Sequence, residues 1–225
     1  MPVTFKALGL FLVYPEAELQ AAYAPAVQLV AEEGLLGARA LAGLRRLARQ
    51  LASEDLLDLQ SRYVQMFDRG RALSLNLYQH VHGESRDRGQ AMAELKALYA
   101  VHGLELTARE LPDHLPVFLE FLSTLPEHKA FGLLGEAGHV VAALAERLKR
   151  RKSPYAAVLA AIASLADFAA PSQALAGLMD EPEDDPDDLE ALDRAWAEEP
   201  VHFGPGEAGC PKTRELLSQL EAPSR

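Results

Sequence analysis

Cysteine is nearly missing from this chain: Cys210 is the one thiol. No intramolecular disulfide and no cysteine-built metal cluster can form around it. Long apolar runs are missing too, and no stretch reaches the roughly 18 residues that a membrane-spanning helix needs. Positive charge is short, with 22 Lys and Arg against 33 Asp and Glu, a formal net charge of −11. That sign is wrong for nucleic acid, which needs a basic footprint, and it disfavours an anionic membrane surface. There is no phosphate-cradling Gly-rich loop, no dinucleotide fingerprint and no nucleophile elbow. Such deficits leave a cytoplasmic globular protein whose charge attracts a cationic partner segment.

What is present is helical periodicity. Leu41, Leu44, Leu47 and Leu51 recur at steps of three and four, as do Met92, Leu95, Leu98 and Tyr99. Leu115, Phe118, Leu119 and Leu122 repeat the pattern, and so do Val140, Val141, Leu144 and Leu148. Only Leu73 to Tyr78 alternates with period two, and it is too short and solitary to found a sheet. Punctuation agrees. Ser53 precedes the acids Glu54 and Asp55 as an N-cap would, and Thr107 to Glu110 has capping-box spacing. Pro112 and Pro154 suit first helical turns, and Gly103 suits a C-cap. These signals predict an all-α, single-domain helical bundle of about nine helices over residues 1–170. Residues 171–225 read as an acidic, partly mobile tail. Within it Asp180 to Asp188 is too acidic and proline-broken to pack, and a short helix is expected at Leu189 to Trp196. Met1 to Pro15 has no small-residue cleavage site and reads as the first amphipathic helix rather than a signal peptide.

Two polar segments stand out. Between Asp68 and Ser85 the pattern is not helical, which predicts a long loop, and long loops are often functional. Here His80, His82 and Glu84 are potential metal ligands, though an H-x-H pair without a third ligand at fixed spacing is a weak zinc signal. The plainer reading is a loop pinned by imidazole hydrogen bonds. Arg86 and Arg88 start a helix, where the dipole disfavours cations. They call for acids such as Glu84, Asp87, Glu110 or Asp113, or alternatively for a phosphate. In the second segment, Glu110 to Leu122, the face Leu115, Phe118, Leu119 and Leu122 is core. Asp113, Val117 and Glu120 lie along another side. Asp113 and His114 diverge by about 100° on a helix and do not face each other; the plainer reading of Asp113 is a cap of its own helix. A metal-dependent hydrolase using His80, His82, Asp113 and His114 stays open as the alternative.

The run Phe67 to Arg71, then Ser74-Leu75 and His80 to Met92, resembles the longest signature of the NarJ family, the nitrate reductase delta-type assembly chaperones within the TorD-like group. Glu110 to Pro116 resembles its second signature, and Trp196 to Phe203 its C-terminal box. Tyr78-Gln79 departs from the family's aromatic followed by glutamate, so no carboxylate role is carried over to position 79. The resemblance implies an all-helical chaperone without turnover. Its expected partner is the catalytic (alpha) subunit of a respiratory nitrate reductase, bound through a basic N-terminal segment and held in the cytoplasm while molybdenum cofactor is inserted. It implies no stably bound cofactor of its own, and it allows molybdenum cofactor delivery proteins as further partners. The expected client-binding residues are Ser74, Tyr78, His80, His82, Arg86, Arg88, Glu110, Asp113, His114, Val117 and Glu120.

Overall fold

The computed structural model describes residues 1–82, 86–106 and 110–166, with Arg86 in its backbone only. The acidic run, the helix at Leu189 to Trp196, the C-terminal box, the capping box at Thr107 and the ligand candidate Glu84 lie outside the described residues. Among the described residues there are nine α-helices: α1 Val3–Gly9, α2 Ala17–Glu33, α3 Ala38–Ser53, α4 Leu56–Tyr63, α5 Leu77–His82, α6 Arg86–Val101, α7 Leu115–Ser123, α8 Glu127–Arg150 and α9 Ala156–Leu165. The all-α expectation holds.

The four stripes that spacing announced face the core on α3, α6, α7 and α8, with Leu41, Met92 and Leu98 half-buried and the rest buried. On α3, Leu44, Leu47, Ala48 and Leu51 are buried, while Arg39, Arg45, Arg46 and Arg49 face water. On α8 the buried residues run from Ala130 through Leu134, Val140, Val141 and Leu144 to Leu148. At 24 residues α8 is about 36 Å long, and α9 returns along it. α1 packs on α7 and α2, and α3 on α2 and α9. One continuous apolar core, from Phe5 to Leu165, joins them.

Helix boundaries depart from the sequence signals in instructive ways. Ser53 closes α3, its hydroxyl donating to the Gln50 carbonyl. The cap of α4 is Asp55, whose Oδ1 accepts from the Leu57 and Asp58 amides at 2.9 and 3.3 Å. α7 begins at Leu115 with Pro116 in its first turn, so Pro112 sits in the lead-in. Gly103 has φ +76°, the left-handed conformation expected after α6. The expected loop after Asp68 is largely ordered turn and helix. A π-helical segment at Val64–Asp68 continues α4, a 3₁₀ turn follows at Arg71–Leu73, and α5 occupies Leu77–His82. Leu73, Leu75 and Leu77 are all buried, but Ala72 beside them and Ser74 between them are buried too, so the period-two pattern does not mark an exposed face.

Candidate functional site

The two polar segments, about 35 residues apart in sequence, meet through their backbones. Asn76 and His114 form an antiparallel bridge. The Leu115 amide donates to the Leu75 carbonyl at 2.8 Å, and the Leu77 amide to the Asp113 carbonyl at 3.0 Å. Asp113 is fully buried, and its Oδ2 accepts from the Tyr78 amide at 3.0 Å. It therefore caps α5, a different helix from the one it precedes. Ser74 is also buried; its hydroxyl accepts from the Asn76 amide at 3.2 Å, and His80 Nε2 bonds to its carbonyl oxygen at 2.8 Å. The hydroxyl of Tyr99 donates to the Pro112 carbonyl at 2.7 Å. Beyond α5, Arg147 is buried on α8 and donates to the Ala72 carbonyl at 2.7 Å, fastening the turn that leads into Ser74.

This clamp fixes the start of α7, and α1 lies against it. Gly9 permits the approach: a Cβ there would stand 3.3 Å from the Pro116 carbonyl oxygen and 3.6 Å from Leu119 Cβ. Between α1, α7 and the π-helical segment runs a groove of about 530 Å³. Leu10, Val13, Leu19, Pro116 and Val117 give it an apolar lining, with Tyr14 beside them. Its polar lining is Lys6, Asp68, Glu110, His114 and Glu120. Asp68 reaches the groove because the π-helical segment turns Phe67 into the core at the preceding position. Burial raises the Asp68 carboxyl above its usual range, and the neighbouring Glu110 charge adds to the effect. Burial lowers the His114 imidazole below its ordinary value, against the pull of Glu110, Asp113 and Asp68. His114 Nδ1 stands 4.0 Å from Glu110 Oε2. Acids crowded against an apolar surface favour an incoming cation.

The expected site residues thus fall into groups. Ser74, Tyr78, His80 and Asp113 build the clamp. Glu110, His114, Val117 and Glu120 line the groove. His82 stacks edge-on against Tyr78, ring centroids 5.6 Å apart, and does not line the groove. Arg88 Nε is buried with no hydrogen-bond partner among the described residues; of the four expected acids Glu84 lies outside them, Asp113 is engaged with the Tyr78 amide and Glu110 stands beside His114. The side chain of Arg86 lies outside the described residues. The four residues of the hydrolase alternative do not converge: His80 is engaged with Ser74, Asp113 with Tyr78, and His114 faces Glu110. Among the described residues no three His, Cys, Asp or Glu side chains gather as metal ligands. Sequence reasoning missed the N-terminal side of the groove, Lys6 on α1 and Leu10, Val13 and Tyr14 just after it. Its one available signal was Tyr14, a large aromatic just past an apolar patch, which is 44% exposed.

The family described as nitrate reductase delta subunit matches residues 36–161. The chain is 43% identical over 200 residues to the nitrate reductase molybdenum cofactor assembly chaperone NarJ of Escherichia coli strain K12, covering 88% of this chain and 84% of the relative. It is 32% identical over 157 residues to a Bacillus subtilis protein assigned as the same kind of chaperone, covering 70% of this chain and 84% of that one. Among solved structures, a protein of Archaeoglobus fulgidus assigned to redox enzyme maturation shares the fold. Its TM-score is 0.51 at 23% identity, over 73% of this chain and 92% of that one.

Proposed function

Because the chain belongs to the nitrate reductase delta subunit family, we propose that it is a cytoplasmic assembly chaperone for the catalytic subunit of a respiratory nitrate reductase. The observation that carries this reading is the groove between α1 and α7, whose lining combines Leu10, Val13, Leu19, Pro116 and Val117 with the acids Asp68, Glu110 and Glu120. Its chemistry suits a basic amphipathic segment, which we assign to the N-terminus of the immature catalytic subunit. Apolar side chains of that segment would gain about 25 cal/mol per Å² of surface removed from water. The acids would set its orientation and exclude acidic competitors. The chaperone keeps the client open for molybdenum cofactor insertion and then releases it; cofactor delivery proteins are the further partners. The residues assigned to client contact are Glu110, His114, Val117 and Glu120, with Ser74, Tyr78, His80 and Asp113 holding them in place.

The reading is tested by purifying the catalytic subunit from cells with and without this chain and measuring its molybdenum content. We expect a metal-poor subunit when the chain is missing, restored by the wild-type chain. A fully loaded subunit in its absence would contradict the proposal.

A further inference from the structure

The groove of about 530 Å³ is adjoined by a smaller one of about 240 Å³, lined by Tyr99, Leu104, Leu106 and Phe121. The residues common to both linings are Lys6, Val117 and Glu120. Two hollows, the larger mainly apolar and the smaller carrying Glu105, Ser123 and Thr124 beside its apolar wall, therefore meet at one ion pair, in which Lys6 Nζ donates to Glu120 Oε1 at 2.8 Å. Lys6 belongs to α1 and Glu120 to α7, and their side chains are 65% and 59% exposed. A pair so exposed contributes little to holding the helices together. That task falls to buried packing, including Phe5, Leu8 and Gly9 on α1 and Leu115, Leu119 and Leu122 on α7. The pair is exchangeable, and it stands where the two hollows join.

We propose that Lys6 is an internal stand-in for a cation of the bound segment, and that Glu120 determines where along the segment that cation must stand. This deepens the reading of the groove as the client site and rests on it. On binding, a Lys or Arg of the segment takes the Glu120 carboxylate, Lys6 swings on its flexible stem into water, and the two hollows become one cleft crossing Val117. Arginine displaces Lys6 more effectively than lysine does, because its planar fork binds a carboxylate through two hydrogen bonds. Lys6 thereby sets a threshold: a segment without a cation at this position cannot open the cleft at no cost. Of the remaining acids, Glu110 stands 4.0 Å from His114, whose burial disfavours the charged imidazole, and Lys6 is the one Lys or Arg among the described lining residues.

The test is a titration of the wild-type chain and its variants with a synthetic peptide of the catalytic subunit's N-terminal segment. Lys6→Met should bind it about two- to five-fold more tightly, the range an exposed pair allows. Lys96→Met removes the same charge from α6, outside both linings, and should change affinity less. Glu120→Gln should weaken binding, and adding Lys6→Met to it should have no further effect. A thermal midpoint close to wild type in each variant confirms that the fold is retained. If the wild-type chain binds but Lys6→Met matches Lys96→Met or binds more weakly, the stand-in role is refuted and the groove reading survives. If the wild-type chain does not bind the peptide, the groove reading falls and this inference with it.

Discussion

At the scale of single residues, several decisive contacts are helix caps supplied by another part of the chain. Glu33, at the end of α2, accepts from the Val3 and Thr4 amides of α1 at 2.9 and 2.6 Å. Burial opposes its ionisation, but these hydrogen bonds outweigh it and hold the carboxyl below its usual range. Asp113 likewise accepts from the Tyr78 amide in the first turn of α5. Sequence signals find caps only within about three residues of the helix they serve. Asp113 is therefore not legible as the cap of α5, whereas Ser53 and Pro112 miss their helix starts by only two to three residues, Asp55 capping α4 and α7 beginning at Leu115; Gly103, whose role is local, fits its signal. Replacing Asp113 by Ala removes a buried acceptor and should cost about 1–3 kcal/mol of stability, measured as a lowered urea midpoint. An unchanged midpoint would show that the clamp does not depend on this cap. His114 makes a prediction about pH. Its folded-state pKa lies below the ordinary 6.5, so the unfolded chain takes up the proton first. Stability should therefore be fully present above 6.5 and decline as pH falls below it. His114→Gln should flatten that decline; identical profiles on both sides of 6.5 would assign the acid sensitivity elsewhere.

At the scale of elements, the helices were legible because a buried stripe is written in local spacing, as Leu44, Leu47 and Leu51 show. The site was legible only in part. Both polar segments announced themselves through composition, and the structure joins them through Asn76 and His114. What periodicity could not reveal was the third element. The π-helical segment that delivers Asp68 has no sequence signature, and α1 enters the site by a packing angle rather than by a motif. That angle depends on Gly9, where α1 meets the Pro116 carbonyl. Gly9→Val should push the two helices apart at a cost of about 1–3 kcal/mol, read by chemical unfolding. Wild-type stability in this variant would mean that the contact can relax and that the groove's width is not fixed there.

At the scale of the whole molecule, the proposed reading assigns encounter to charge and affinity to the groove. A chain of net charge −11 should draw in a basic segment from a distance. Salt should slow that association, since the Debye length is about 8–10 Å at physiological ionic strength. Dissociation should change less, because apolar contacts are not weakened by modest salt; an on-rate indifferent to salt would remove steering from the account. A chain shortened to residues 1–170 should still unfold cooperatively, given a core that spans Phe5 to Leu165, and a molten product would refute that boundary. The central claim is that the groove between α1 and α7 receives the client, and calorimetric titration of the catalytic subunit's N-terminal peptide tests it most directly. Saturable one-to-one binding to the wild-type chain is expected. In Val117→Asp, which places a buried-side charge in the apolar lining, affinity should fall at least about tenfold, equivalent to about 1.4 kcal/mol, with the thermal midpoint retained. Equal affinity for both proteins, or no binding to the wild type, would contradict it.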